Sequence, residues 1–170
     1  MSPYPLRKPV DLPYSYIIFY IIMPAATLSC SMCPTNQGVS MSSDDQNLAL
    51  SAINNRFYEA FSTLDIEKMV KVWELSERVR CIHPGWPSLS GWDIIRQSWE
   101  TIFRNSTLMH FTLTEVKSSA HGDCGWVDCV ENITAVIDGK ATSFAVQATN
   151  IFVRHNEGWL MVHHHGSAYS

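Results

Sequence analysis

The sequence has little charge, and it contains none of the short motifs that identify nucleotide-, zinc- or serine-dependent enzymes. Only 16% of its 170 residues are charged and the formal net charge is −4, so it lacks the basic excess that nucleic-acid binding requires. It has no GxGxxG or phosphate-binding loop, no HExxH and no GxSxG. We therefore expect no cofactor and no nucleic-acid partner.

Cysteine is present in a number and spacing that do not describe a disulfide framework. The count of five is odd, and only Cys81, Cys124 and Cys129 lie in the main part of the chain. Cys30 and Cys33 have CxxC spacing, but no strand, helix or second pair surrounds them. We interpret this pair as incidental, the domain as reduced and Cys81 as a core residue.

Residues 1–40 differ in composition from the rest and are interpreted as an extension of a domain at 41–170. Their apolar run, residues 14–28, is too short and interrupted to span a membrane. Preceding basic residues and following small ones resemble a secretory signal; alternatively, translation starts at Met41. The domain would be cytoplasmic in the second case, and secreted or membrane-targeted in the first. The domain itself is not expected to bind membranes.

Helical patterns come first and strand patterns afterwards. Apolar residues recur at helical spacing at about 44–64, 66–75 and 92–103, and a short strand candidate lies at 79–82. Four period-two segments follow, at 108–118, 126–137, 142–154 and 159–165, with turn residues between them. This order predicts an α+β fold, with three N-terminal helices on one face of a curved, mainly antiparallel sheet.

The last strand contains three consecutive histidines. Side chains alternate along a strand, so Trp159, Met161, His163 and His165 should share one face and His164 should lie on the other. A metal site would need a third converging ligand, which no spacing supports, and we assign no metal ligand. The alternatives are a hydrogen-bonding or acid–base role in a ligand pocket and a structural role at a strand end or interface.

Two further polar residues are candidates for a site. On the strand at 126–137, Glu131 is in phase with apolar residues, so we expect it to face the helices and to have a raised pKa; alternatively it is partly solvated and paired with a cation. His83 precedes Pro84 in a turn-rich loop with Trp86. It is either a pocket residue or a histidine that holds the turn through backbone carbonyls.

The chain resembles the SnoaL-like branch of the nuclear transport factor 2-like superfamily, which includes the ketosteroid isomerases. The resemblance covers residues 44–167 and is carried by residues 57–61, 64–65, 81–86, 91–92, 126–131, 149–153 and 158–167. It implies a cone with a deep, mostly apolar pocket, and a homodimer formed through the outer sheet face. Isomerase-type members use a pocket acid as base with a Tyr and a protonated acid as oxyanion donors. Whether Tyr58 and Glu131 correspond to such residues is left open.

We weigh two main hypotheses. In the first, the domain binds a small apolar, carbonyl-like molecule and, if it is catalytic, is an acid–base enzyme of isomerase, hydratase or cyclase type. Its catalytic residues would be Glu131, His165 and His83, and its ligand-binding residues Tyr58, Trp86, Trp92, Met161 and His163. In the second, it is a non-catalytic dimeric association module whose outer sheet face carries the function. The second hypothesis predicts that His83 and His165 are separated in the structure, or that side chains fill the interior. A metal-dependent enzyme is a third possibility.

Overall fold

The computed structural model describes residues 42–169. Its elements are α1 (Ser43–Ser62), α2 (Ile66–Val70), β1 (Arg80–Ile82), β2 (Leu89–Ser90), α3 (Trp92–Asn105), β3 (Ser106–His121), β4 (Cys124–Ile137), β5 (Lys140–His155) and β6 (Gly158–Ala168). The predicted extension at 1–40, with its cysteine pair, lies outside the described residues. Within 42–169, no helix has the length and apolarity needed to cross a bilayer.

The first two helices begin at side-chain caps. Ser42 and Asp45 form a reciprocal capping box at the start of α1, and Asp65 accepts hydrogen bonds from two backbone N–H groups at the start of α2. The prediction that the second helix continues to about residue 75 is wrong. Main-chain hydrogen bonds of Val72 and Glu74 to Met161 of β6 replace the helical bonds beyond Val70.

The six strands form one sheet in the order β2-β1-β6-β5-β4-β3. Strands β3 to β6 are consecutive antiparallel neighbours, and among the strands of the described residues only β1 and β6 pair in parallel. Positive φ angles occur at the turn residues Gly122, Asp138, Gly139 and Gly158. Glycine and aspartate adopt this conformation more readily than most residues. The predicted fold class, three helices on a curved and mainly antiparallel sheet, is confirmed.

The core lies between the helices and the inner face of the sheet. Its largest fully buried side chains include Phe57 of α1, Trp99 of α3 and Phe152 of β5. At Gly125 of β4 a Cβ atom would lie 2.5 Å from Leu50 Cδ1, so glycine lets α1 pack directly on the strand.

A β-bulge at Val162 changes which side chains of β6 face inward. Phe152 pairs with Met161, but the preceding residue of β5 pairs with His163. The extra residue, Val162, reverses the alternation of side chains. The sequence prediction is therefore wrong for all three histidines: His164 lies inside, only 2% exposed, whereas His163 and His165 lie on the outer face.

Candidate functional site

Glu131 lies on the inner face of β4, opposite Leu113 of β3 and Val146 of β5. It is 3% exposed, and its Oε1 accepts a hydrogen bond from the Tyr58 hydroxyl at 2.7 Å. Burial raises the pKa of Glu131 to about 7, although the bond from Tyr58 lowers it. The predicted inward orientation and raised pKa are confirmed, and the alternative of a solvated, cation-paired Glu is wrong.

A chain of hydrogen bonds extends from Glu131 to His164 through Tyr58 and Asn150. Asn150 Nδ2 lies 3.4 Å from the Tyr58 oxygen, and Asn150 Oδ1 lies 2.7 Å from His164 Nδ1. Because the Tyr58 hydroxyl donates to Glu131, it accepts from the Asn150 amide, which leaves Asn150 Oδ1 to accept from His164. A neutral His164 therefore carries its proton on Nδ1 and a free lone pair on Nε2.

Burial, together with the neighbouring histidines, lowers the pKa of His164 well below its ordinary value. Burial also raises the pKa of Tyr58, and the adjacent carboxylate adds to that rise. Both groups are therefore neutral near pH 7, and Glu131 is the member of the chain that can gain or lose a proton there.

Two buried donors in this region have no hydrogen-bond partner among the described residues. Asn54 accepts from Asn150 Nδ2 through its Oδ1 at 2.8 Å, which leaves Asn54 Nδ2 unpaired, and Trp99 Nε1 is likewise unpaired. Leaving a buried donor unpaired is costly. Each of these donors could bind an acceptor oxygen of a ligand.

His83 forms the other end of the buried polar cluster. Its Nε2 lies 2.9 Å from Ser98 Oγ, and that hydroxyl donates to the Ile95 carbonyl, so His83 is the donor. Its ring packs edge-on against Trp99, with centroids 4.6 Å apart, and lies 6.3 Å from the His164 ring. Burial lowers the pKa of His83 to about 4. His83 is therefore buried and neutral, and its ring hydrogen-bonds to the Ser98 hydroxyl rather than to a backbone carbonyl.

The model of the SnoaL-like domain family matches residues 50–170. The chain belongs to this family. The SnoaL-like domain is 34% identical to a candidate dehydratase of the NTF2-like family from Streptomyces avermitilis; the match covers 75% of this chain and 98% of that one, with a TM-score of 0.70. The predicted resemblance is therefore confirmed.

Two other relatives have different descriptions. A candidate calcium/calmodulin-dependent protein kinase type II association domain from Thiobacillus denitrificans is 28% identical, with coverage of 71% of this chain and 94% of that one and a TM-score of 0.64. The F-box protein SKIP8 of Arabidopsis thaliana is 29% identical over 119 residues, which are 70% of this chain and 49% of that protein. The chain thus spans about half the length of this curated relative. The SnoaL-like family model and the candidate dehydratase support a small-molecule-binding domain.

The remaining predicted site residues of the SnoaL-like domain lie in three other places. Met161 and Trp92 are buried around Trp73, which bridges to Met161 and stacks obliquely on Trp92. Trp86 is 43% exposed and contacts the His83 ring edge-on. His163 and His165 lie together on the outer face with ring centroids 6.4 Å apart. The structure thus unites Glu131 with Tyr58, and His83 with Trp86, but places His165 on the opposite side of the sheet.

Two cavities among the described residues lie away from this cluster. The larger, about 650 Å³, is bordered by α1 and the turn between β5 and β6, and the smaller, about 260 Å³, adjoins α1 and α2. Neither is bordered by Glu131 or His83. Within residues 42–169, no three His, Cys, Asp or Glu side chains are arranged to hold a metal ion.

Sequence reasoning missed Asn54, Ser98 and Asn150, and it placed His164 outside. Asn150 is in phase with the inward-facing Ala148 and Phe152 of β5, and Asn54 precedes Tyr58 by one helical turn on the buried face of α1. A polar residue in phase with buried apolar ones was the available signal for both. The position of His164 had no such signal, because the bulge depends on strand pairing.

Cys81 is buried, as predicted for a core residue. Its Sγ lies 3.7 Å from His83 Nε2, but burial and the charge of Glu131 raise the pKa of the thiol far above its ordinary value. Cys81 therefore stays protonated and is a poor nucleophile.

Proposed function

We propose that the interior cluster is an acid–base site for a small, apolar, carbonyl-like molecule, with Glu131 as the group that exchanges a proton. The observation that carries the proposal is a buried carboxyl whose pKa of about 7 matches the operating pH of a general base. Isolated buried acids are uncommon outside functional sites. The candidate dehydratase at 34% identity supports the same class of chemistry.

The second requirement of such a reaction is a hydrogen-bond donor for the oxygen that becomes negatively charged. Removing a proton next to a carbonyl develops negative charge on the carbonyl oxygen, which buried donors stabilise. The unpaired Asn54 Nδ2 and Trp99 Nε1 are the donors available for that oxygen. They replace His165, which lies outside. Because Glu131 is buried, side chains around it must separate to admit the ligand.

Exchange of hydrogen for deuterium tests this proposal without knowledge of the natural substrate. Cyclohexanone, 2-cyclohexenone and α-tetralone are incubated with the protein in D₂O, and loss of the proton signal next to the carbonyl is followed by NMR. We expect a catalysed rate that rises with pH around 7, and a decrease of about 100-fold for Glu131→Gln.

Glu157→Gln is the matched control, because it removes an exposed carboxyl from the turn between β5 and β6. It should exchange at the wild-type rate. Equal rates for wild type and Glu131→Gln, or no catalysed exchange with any of the three ketones, would refute the proposal.

A second candidate function is the dimeric association module, which the separation of His83 from His165 favours. On the outer face, Trp126, Ile151 and His163 are aligned across β4, β5 and β6, and Trp126 is 39% exposed. Tryptophan is one of the residues enriched at protein interfaces. The association domain at 28% identity supports this alternative.

Light scattering after size-exclusion chromatography tests the association. We expect a homodimer for wild type, a monomer for Trp126→Asp and an unchanged mass for Thr134→Asp, which adds the same charge elsewhere on the outer face. A monomeric wild type, or a dimer that survives Trp126→Asp, would contradict this interface.

A further inference from the structure

The larger cavity lies outside the proposed acid–base site and has a lining of its own. It is about 650 Å³ and is bordered by one side of α1, by Lys71, and by the residues around the turn between β5 and β6. Cavities of this size hold small organic ligands. Its walls combine apolar side chains with cations, so both the shape and the charge of an occupant can be inferred.

The cations Arg56 and Lys71 border both this cavity and the adjoining one of about 260 Å³. They therefore lie at the junction of the two. Neither forms an ion pair with a described residue: the ion pairs of residues 42–169 involve Lys68, Arg78, Arg96 and His155. Two unpaired cations converge at this place in a protein whose net charge is −4.

The other charged groups at the cavity do not neutralise this pair. His155 is hydrogen-bonded to Glu74 at 2.9 Å. Arg78 holds the pKa of the Glu74 carboxyl at about 2, so Glu74 remains ionised and is already engaged by Arg78 and His155. Among the described residues that border the larger cavity, Glu157 is the single carboxylate. Arg56 and Lys71 together exceed it by one positive charge.

Trp159 is the largest apolar side chain among the described residues that border the cavity. The Arg154 guanidinium lies 4.7 Å from the centroid of the Trp159 ring, and Arg154 Nε and Nη2 are buried without a hydrogen-bond partner. This contact orients the indole and adds a third cation behind the wall. Ile53 and Leu160 extend the apolar surface.

We propose that this cavity binds a small organic carboxylate with an apolar body, its carboxylate between Arg56 and Lys71 and its apolar part against Trp159. Charge-assisted hydrogen bonds to the two cations would fix the anionic end, and burial of the apolar part would supply most of the affinity. This ligand site is independent of the proton exchange assigned to Glu131.

Three probes of equal chain length separate charge from hydrophobicity: octanoate, octylammonium and 1-octanol. Binding is followed in the full chain by NMR shifts of the Gly158 amide and the Trp159 indole, and by calorimetry. We expect octanoate to bind and to shift both signals, octanol to bind more weakly, and octylammonium not to compete. No shift at either residue with millimolar octanoate, or equal binding of octanoate and octylammonium, would overturn the proposal.

Charge reversal provides a variant that keeps the test decisive. Arg56→Glu with Lys71→Glu should weaken octanoate binding by at least about tenfold and allow octylammonium to bind. The matched control is Lys117→Glu with Lys140→Glu, which changes the net charge equally at two exposed positions away from the cavity. Equal losses of octanoate binding in both double variants would show that only overall charge matters and would refute the site.

Discussion

Replacing Glu131 by Gln should change how stability depends on pH, in a direction fixed by the raised pKa. The folded pKa is about 7, against an ordinary value of 4.5. Between these values the folded protein holds a proton that the unfolded chain has released. The free energy of unfolding of wild type therefore falls as pH rises through this interval, and Gln, which does not titrate, removes that fall.

The magnitude follows from the two pKa values. A difference of 2.5 units (7 − 4.5) corresponds to about 3.5 kcal/mol, at about 1.4 kcal/mol per unit, of which about 3 kcal/mol falls between pH 4.5 and pH 8 because titration is incomplete at both ends. Relative to wild type, Glu131→Gln should therefore gain about 3 kcal/mol of stability between pH 4.5 and pH 8, with most of the change complete by about pH 7. The low pKa of His83 produces a slope of opposite sign, but it is present in both proteins and cancels in the difference.

Urea unfolding of both proteins at intervals from pH 4.5 to 8.5 measures this difference directly. Tyr58→Phe is the informative companion, because the Tyr58 hydrogen bond lowers the pKa of Glu131; without it, the loss of stability should extend to higher pH. A wild-type-to-Gln difference that stays constant across this range would refute the protonation behaviour on which the acid–base proposal depends.

Three other predictions concern packing, and unfolding in urea measures each. His164→Ala should lower the free energy of unfolding by about 2–3 kcal/mol, because it removes a buried hydrogen bond and leaves a cavity. His165→Ala, on the outer face, should change it by less than about 0.5 kcal/mol. Equal losses for the two variants would contradict the inward position of His164. Gly125→Ala should cost about 1–3 kcal/mol because its Cβ would meet Leu50, and in a Leu50→Ala background that cost should shrink; an undiminished cost would contradict this contact. Asp65→Ala should cost about 1 kcal/mol through loss of the α2 cap, and no change would show that the cap contributes nothing.

The sequence was sufficient for elements whose structure depends on local pattern. Strand β4 pairs with β5 without interruption from Cys124 to Ile137, so counting by two placed Glu131 correctly on the inner face. The order of helices and strands likewise follows from periods that each segment carries by itself. The turn residues ahead of β5 and β6 positioned those strands to within a few residues.

What failed depends on contacts between distant parts of the chain. The end of α2 is set by main-chain hydrogen bonds between Val72, Glu74 and Met161. Met161 lies in a strand almost ninety residues later in the sequence. The face of each histidine depends on the bulge at Val162, after which His163, His164 and His165 pair with β1. Neither feature has a local signature, so both require the tertiary structure.

The bulge at Val162 makes the interior of the domain tolerant of a one-residue change in β6. With the bulge, the middle histidine of the triplet reaches the interior; if the same residues, Val162 included, paired without a bulge, alternation would place the two flanking histidines there instead. Three consecutive histidines therefore supply an imidazole to the interior in either frame. A single-codon deletion of Val162 would restore regular alternation between Met161 and His163 and leave His164 inside, so this strand can lose the extra residue without changing which histidine reaches the interior.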